Sequence, residues 1–286
     1  MTAFGELLAL PLRSGVTVPA AKRGSGIRMV NMRELFAHPR LGNVEMARVE
    51  VEGDPERYHL AEGDLLFARR SLTAEGAGQC AMVVDVREPT TWESSILRAR
   101  PDRQVTDPSF LYYYFRSPAG RLQMDSIVNQ VAAAGIRGSD LKLLDIPQPP
   151  LAVQQGIAEV LGALDDKIAA NTTLAATVDS YLATLLDEMA SGVDATTLRS
   201  IADVNRRSAK PVAGGSLRYV DIASVAVGSF EYPDVSAWSD APGRARRGLS
   251  AGDTMWSTVR PNRRSHALNL EDDALLVAST GLAILS

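Results

Sequence analysis

The chain has one cysteine, Cys80, and three histidines, His38, His59 and His266, in 286 residues. A lone thiol makes no internal disulfide, and these scattered residues have no metal-ligand spacing, so disulfide frameworks and zinc scaffolds are excluded. Long apolar runs are missing too: nothing approaches the ~18 uninterrupted apolar residues of a membrane span. Met1 to Leu12 lack the basic and apolar stretches of an export signal, so a cytoplasmic chain with no membrane association is expected. No Gly-Lys-Ser/Thr triplet occurs, which removes a P-loop ATPase. Lysine is scarce, since 26 of the 30 basic residues are arginine. What is present, 45% hydrophobic and 22% charged residues, is enough to build a core in each of two medium domains.

The formal charge of −4 is unevenly placed. Residues 1–150 hold 18 bases and 18 acids, residues 151–190 hold one base (Lys167) and six acids, and residues 191–286 hold 11 and 10. The acidity therefore belongs to one short segment, and the rest is balanced and rich in arginine. The planar guanidinium fork suits phosphate oxygens and guanine edges, although a GC-rich genome yields the same arginine bias.

The acidic segment carries the clearest pattern. Pro147, Pro149 and Pro150 block a helix upstream. After them Ile157, Leu161, Leu164, Ile168, Asn171, Ala175, Val178, Leu182, Leu185 and Met189 step by alternating fours and threes. A repeat of 3.5 residues held this long predicts a coiled-coil helix over 151–192, stopped near Ser191-Gly192 and wound against a partner. Asn171, the polar seam position, suits a register-fixing residue and equally a tolerated surface asparagine.

A second pattern is an internal repeat. Ile27-Arg28-Met29-Val30-Asn31-Met32 reappears as Leu217-Arg218-Tyr219-Val220-Asp221-Ile222. Leu60-Ala61-Glu62-Gly63-Asp64-Leu65-Leu66-Phe67 reappears as Leu249-Ser250-Ala251-Gly252-Asp253-Thr254-Met255-Trp256, at nearly the same offset. The chain reads as a duplicated α+β unit: a β-rich domain over 1–150, the coiled-coil helix, and an incomplete second copy over 195–286. Short apolar runs at Leu65 to Ala68 and Ala81 to Val86 read as strands, and Phe110 to Phe115 as a helix. By the repeat offset the second copy stops before any equivalent of Tyr112 to Tyr114. An apolar edge at Leu275 to Leu285 and an unpartnered seam are therefore expected, with a homodimer through 157–189 supplying the seam's partner.

Together these motifs carry a family resemblance. Tyr58-x-Leu60-x-x-Gly63-Asp64-Leu65-Leu66-Phe67-Ala68-Arg69, Pro108-x-Phe110-Leu111-Tyr112-Tyr113-Tyr114-Phe115, Leu141-x-x-Leu144-x-Ile146-Pro147-x-Pro149-Pro150-Leu151-x-x-Gln154-Gln155-x-Ile157-Ala158 and Leu164-Asp165-x-Lys167-Ile168-x-x-Asn171 stand in an order that resembles the specificity (S) subunit of type I restriction-modification systems, in a half-length or C-terminally truncated form. The resemblance implies target recognition domains that each read half of a bipartite sequence in double-stranded DNA. It also implies long helices that act as a ruler and dock methyltransferase (M) subunits, and through them the restriction (R) subunit. Such a subunit is non-catalytic and carries no cofactor and no metal.

Reading base edges needs arginine, asparagine, glutamine or serine on rigid elements, with further bases clamping phosphates. The candidates are Arg69 and Arg70 directly after a strand, then Gln130, Arg137 and Ser139 in the Gly-bearing loop Asn129 to Ser139, and Arg260, Arg263 and Arg264 in the second copy. A plain surface loop and a solvated charge run have the same composition. The candidate partner helix residues are Ile157, Leu161, Leu164, Ile168, Asn171, Val178, Leu182 and Leu185, with Asp165 and Lys167 expected to orient a protein partner.

Enzyme readings fail on the residues. Asp107-Pro108-Ser109-Phe110 approaches the Asn/Asp-Pro-Pro-aromatic site of amino-methyltransferases, but Ser109 breaks it. Glu75-Gly76-Ala77-Gly78 lacks the strand-helix alternation of a cofactor-binding sheet. The remaining rival is a coiled-coil interaction protein that binds methyltransferase subunits without reading DNA.

Overall fold

The computed structural model describes residues 1–51, 55–130 and 134–286, so Val131 to Ala133 of the expected loop lie outside the described residues. The chain is a mixed α/β protein with a 40-residue helix, Leu151–Ala190. It divides within that helix into two compact units, Met1–Leu182 and Ala183–Ser286. Among the described residues no helix is long and apolar enough to cross a membrane.

The first unit is built on a five-stranded sheet in the order Leu8–Ser14, Ile96–Pro101, Leu65–Ala68, Cys80–Val83, Arg40–Leu41. The strand Leu65–Ala68 is an unbroken apolar run because both its faces are covered. Leu65 and Phe67 face a core shared with Phe4, Leu7 and the helix Pro108–Arg116, while Leu66 and Ala68 face one shared with Val30, Leu35 and Trp92. Phe4, Phe67 and Phe115 meet edge to face at 4.9–5.8 Å, the geometry aromatic quadrupoles favour. Asp107 caps the helix, accepting the Phe110 N–H at 2.9 Å, and Pro108 fits its first turn. Of the three consecutive tyrosines, Tyr112 is core, and Tyr113 and Tyr114 are half-buried.

The repeated motifs land on elements with matching pairings. Strand Arg23–Val30 lies between antiparallel Ala47–Val49 and parallel Thr90–Trp92. In the second unit, Ser216–Val220 lies between antiparallel Val235–Ala237 and parallel Leu276–Ser279. Arg28 sits beside Glu88 at 3.7 Å and donates to the Val44 carbonyl; Arg218 sits beside Asp273 at 3.0 Å and donates to the Pro233 carbonyl at 2.7 Å. Each arginine thus ties its central strand to the segments leading into both neighbours. Two of the repeat's own bases are thereby structural and are withdrawn from any ligand. Gly63 and Gly252 share φ +88°, a conformation that suits glycine, and the aspartate after each caps its own turn.

One expectation is overturned. Leu275 to Leu285 is no bare edge: Leu276, Val277, Ala278, Leu282 and Ile284 are buried. Leu276–Ser279 runs between Ser216–Val220 and Ala245–Gly248, and Leu282–Leu285 pairs with Thr254–Ser257. The apolar side chains exposed on that second sheet are instead Trp256 and Leu268.

Candidate nucleic-acid interface

The loop expected from Asn129 to Ser139 is partly sheet. Asn129–Gln130 pairs with Ala134–Gly135, which pairs in turn with Arg70–Ser71, placing Gly135 opposite Arg70. Gly135 is needed here, because a Cβ on it would come within 2.9 Å of the Arg69 carbonyl. Ile136 donates its N–H to that carbonyl at 3.0 Å, and Arg137 precedes the short helix Gly138–Leu141. Residues more than 60 positions apart in the chain are thereby brought to one place. The side chain of Gln130 lies outside the described residues.

Arg69 and Arg137 stand where two clefts meet. The larger, of about 670 Å³, has an apolar floor from Leu8, Leu12 and Leu97 and polar walls from Ser14, Arg69, Arg137, Ser139 and Lys142. The smaller adds Arg70 and Asn129. Arg69 is half-buried and reaches the Ser14 hydroxyl at 3.4 Å; Arg70, Arg137, Ser139 and Lys142 are exposed. Among the described residues none of Arg69, Arg70, Arg137 and Lys142 has an ion pair. Elsewhere in this unit Arg28, Arg40, Arg48, Arg87, Arg100 and Arg121 each face a carboxylate. Four bases without an ion pair line these two adjoining clefts, and like charges held together call for an anion. Ser14, Asn129 and Lys142 escaped the sequence reading because nothing local connects them to Arg69.

In the second unit Arg260, Arg263 and Arg264 lie around one short turn, exposed and without a side-chain partner among the described residues. Arg260 and Arg264 both hold φ +53°, a left-handed conformation that costs a non-glycine residue about 1 kcal/mol or more. Beside them Trp256, half exposed, stacks on His266 at 5.0 Å.

Residues 38–180, half of the chain, match the family model of the type I restriction modification DNA specificity domain. The chain belongs to that family. It is 25% identical over 184 residues to the type I restriction enzyme EcoKI specificity subunit of Escherichia coli (strain K12), covering 62% of this chain and 38% of that protein. It is 31% identical over 160 residues to the putative type I restriction enzyme MjaX specificity subunit of Methanocaldococcus jannaschii, covering 55% and 37%. The chain thus spans well under half the length of the curated relatives it matches. The fold also resembles the crystal structure of a type I restriction-modification S subunit from M. genitalium, with a TM-score of 0.61 at 14% identity, over 100% of this chain and 71% of that one.

The specificity-domain match takes in Arg69, Arg70, Arg137 and Lys142 of the clefts and most of the long helix, and the join to the helix is densely hydrogen-bonded. Gln154, 1% exposed, accepts from the Thr106 hydroxyl at 2.9 Å and the Asp107 N–H at 3.0 Å. Its amide donates to the Gln148 side chain at 3.0 Å and the Pro149 carbonyl at 2.9 Å, so every hydrogen-bonding group it has in the junction is used. Further along, Tyr113 donates to Asp165 at 3.0 Å and Arg40 to Asp166 at 2.6 Å. Asp165, expected to orient a protein partner, is therefore engaged within its own unit. Burial, then the bond to Asp165, pushes the Tyr113 hydroxyl from its usual 10.0 up to about 12. A raised value means the contribution is complete below pH 10 and lost only as pH rises through about 12. The specificity-domain seam itself is bare: Leu164, Ile168, Val178 and Leu182 are 44–63% exposed, and Asn171 is exposed among them.

Proposed function

We propose that the chain is the DNA-reading subunit of a type I restriction-modification assembly. Its first unit binds duplex DNA through Arg69, Arg70, Gln130, Arg137 and Ser139, and residues 195–286 form a second copy of the unit that contributes Arg260, Arg263 and Arg264. The observation that carries this reading is the pair of adjoining clefts that brings together four bases, none of them in an ion pair among the described residues. A phosphate backbone supplies the missing charge, and a planar guanidinium supplies the base readout.

The long helix is proposed as both ruler and dock. At ~1.5 Å per residue it measures about 60 Å. A second copy, antiparallel through 157–189, would cover the seam with its own. Val153, Val160, Leu174 and Tyr181 are also exposed, at seven-residue multiples beside the seam. The apolar face is thus wider than one partner helix needs, leaving a flank for methyltransferase subunits, which would bring the restriction subunit with them.

A mobility shift with duplexes of different sequence, run with methyltransferase present, tests the reading. The chain should discriminate among sequences; equal binding to all of them would favour the rival, a protein that only sequesters methyltransferase. Arg137→Ala should cost about 1–3 kcal/mol and relax the preference at one base pair if Arg137 reads guanine. Uniform weakening with a salt slope reduced by about one would place it on phosphate instead.

A further inference from the structure

Leu72 is 99% exposed, while the loop that presents it is held at many points. Its anchor, strand Arg70–Ser71, is fixed by pairing with Ala134–Gly135. The Ser71 hydroxyl accepts the Thr73 N–H at 3.2 Å, and the Thr73 hydroxyl accepts the Gly76 N–H at 3.2 Å. Arg121 reaches over from the helix Pro118–Ser126 and donates to the carbonyls of Ala77 at 2.9 Å and Ala74 at 3.1 Å. Gly76 leaves the Ser71 hydroxyl just enough room, since a Cβ there would lie 2.2 Å from it. Gly78, at φ +71°, returns the chain to the sheet with its N–H on the Ala68 carbonyl at 2.8 Å.

The loop is therefore ordered before anything binds, and the ordering entropy that a mobile contact loop pays on association is already spent. Its other side chains before Gly76 are Ser71, Thr73, Ala74 and Glu75, so Leu72 is the one large apolar side chain of this loop segment. Two residues away stands Arg70, on the basic cluster. A lone branched apolar side chain beside unpaired guanidinium groups matches one feature of duplex DNA: the thymine methyl, which projects into the major groove between base-edge acceptors and flanking phosphates.

We propose that Leu72 is a specificity-determining residue that reads a thymine C5-methyl group, which rests on the first unit's being a DNA reader. The test selects duplexes from a random pool with the 286-residue chain and its methyltransferase partner, then replaces each thymine of the recovered sequence by deoxyuridine, which removes the methyl and keeps every hydrogen-bonding group. One replacement in the half-site read by the first unit should weaken binding about fourfold, as expected for one buried methyl group. Leu72→Ala, which removes no packing, should melt at the wild-type temperature and bind thymine and uracil duplexes equally at that position. A recovered sequence in which no deoxyuridine matters, or in which the effect persists in Leu72→Ala, overturns the assignment while leaving DNA reading intact. Recovery of no sequence overturns both.

Discussion

At micromolar concentration the wild-type chain should scatter light as a particle of twice its 30.7 kDa, and Leu164→Asp with Leu182→Asp as one of 30.7 kDa. The reason is the balance on the seam. Leu164 is 54% and Leu182 48% exposed, alongside Ile157, Ile168, Val178, Leu185 and Met189, all more than a third exposed. Each fully buried side chain of this type gains about 1.5–3 kcal/mol, so even partial cover of seven residues on each of two helices outweighs the rigid-body cost of association. An aspartate at either site would have to lose its hydration with no cation facing it, and a two-fold dimer meets every substitution twice. Both positions point to solvent within a single chain, so the variant should keep its melting behaviour as a monomer. A wild-type chain that scatters as a monomer would refute the second-copy arrangement.

Gln154→Leu should destabilise the first unit by about 3 kcal/mol, read as a lower urea midpoint with an unchanged slope. The substitution keeps the volume and removes four hydrogen bonds at once, leaving the Thr106 hydroxyl, the Asp107 N–H and the Pro149 carbonyl facing an apolar side chain; each such group costs about 1–3 kcal/mol when buried unpaired, less whatever water reaches. Gln154 joins the end of the recognition body to the first turn of the helix, so the same variant should loosen their relative orientation. Sequence preference within a half-site would survive, and tolerance of altered half-site spacing would rise. A loss below 1 kcal/mol would show that the junction does not depend on this side chain.

The sequence made the long elements legible for physical reasons. A 3.5-residue repeat over ten positions admits only a helix, and the run from Leu65 to Ala68 admits a strand covered on both faces. Gln154 lies inside the Leu141 to Ala158 motif, but its four bonds depend on where Thr106 and Pro149 fold back, which no local pattern encodes. The segment Asn129 to Ser139 reads as loop because strands of two residues have no period to detect. Leu275 to Leu285 reads as an uncovered edge because the repeat offset leaves no counterpart of the elements after Arg98, whereas the strands that cover it, Ser216–Val220, Ala245–Gly248 and Thr254–Ser257, come from the second copy itself. Arg28 and Arg218 were visible as repeats, yet whether an arginine is free or tied to a carboxylate is decided only by the fold. That distinction separates Arg70 and Arg137 from Arg28 and Arg218.

Selection from a random duplex pool by this chain together with a methyltransferase partner tests the central claim most directly. Two identical first units at the ends of an antiparallel helix pair must read an inverted repeat, with half-sites centred about one helical turn, ~10 bp, apart if both face one side of the duplex. The account predicts such a symmetric bipartite sequence, weakened at one base pair per half-site by Arg137→Ala. An asymmetric bipartite sequence would show that residues 195–286 read DNA on their own account and would contradict the two-fold arrangement, and recovery of no preferred sequence would contradict DNA reading itself.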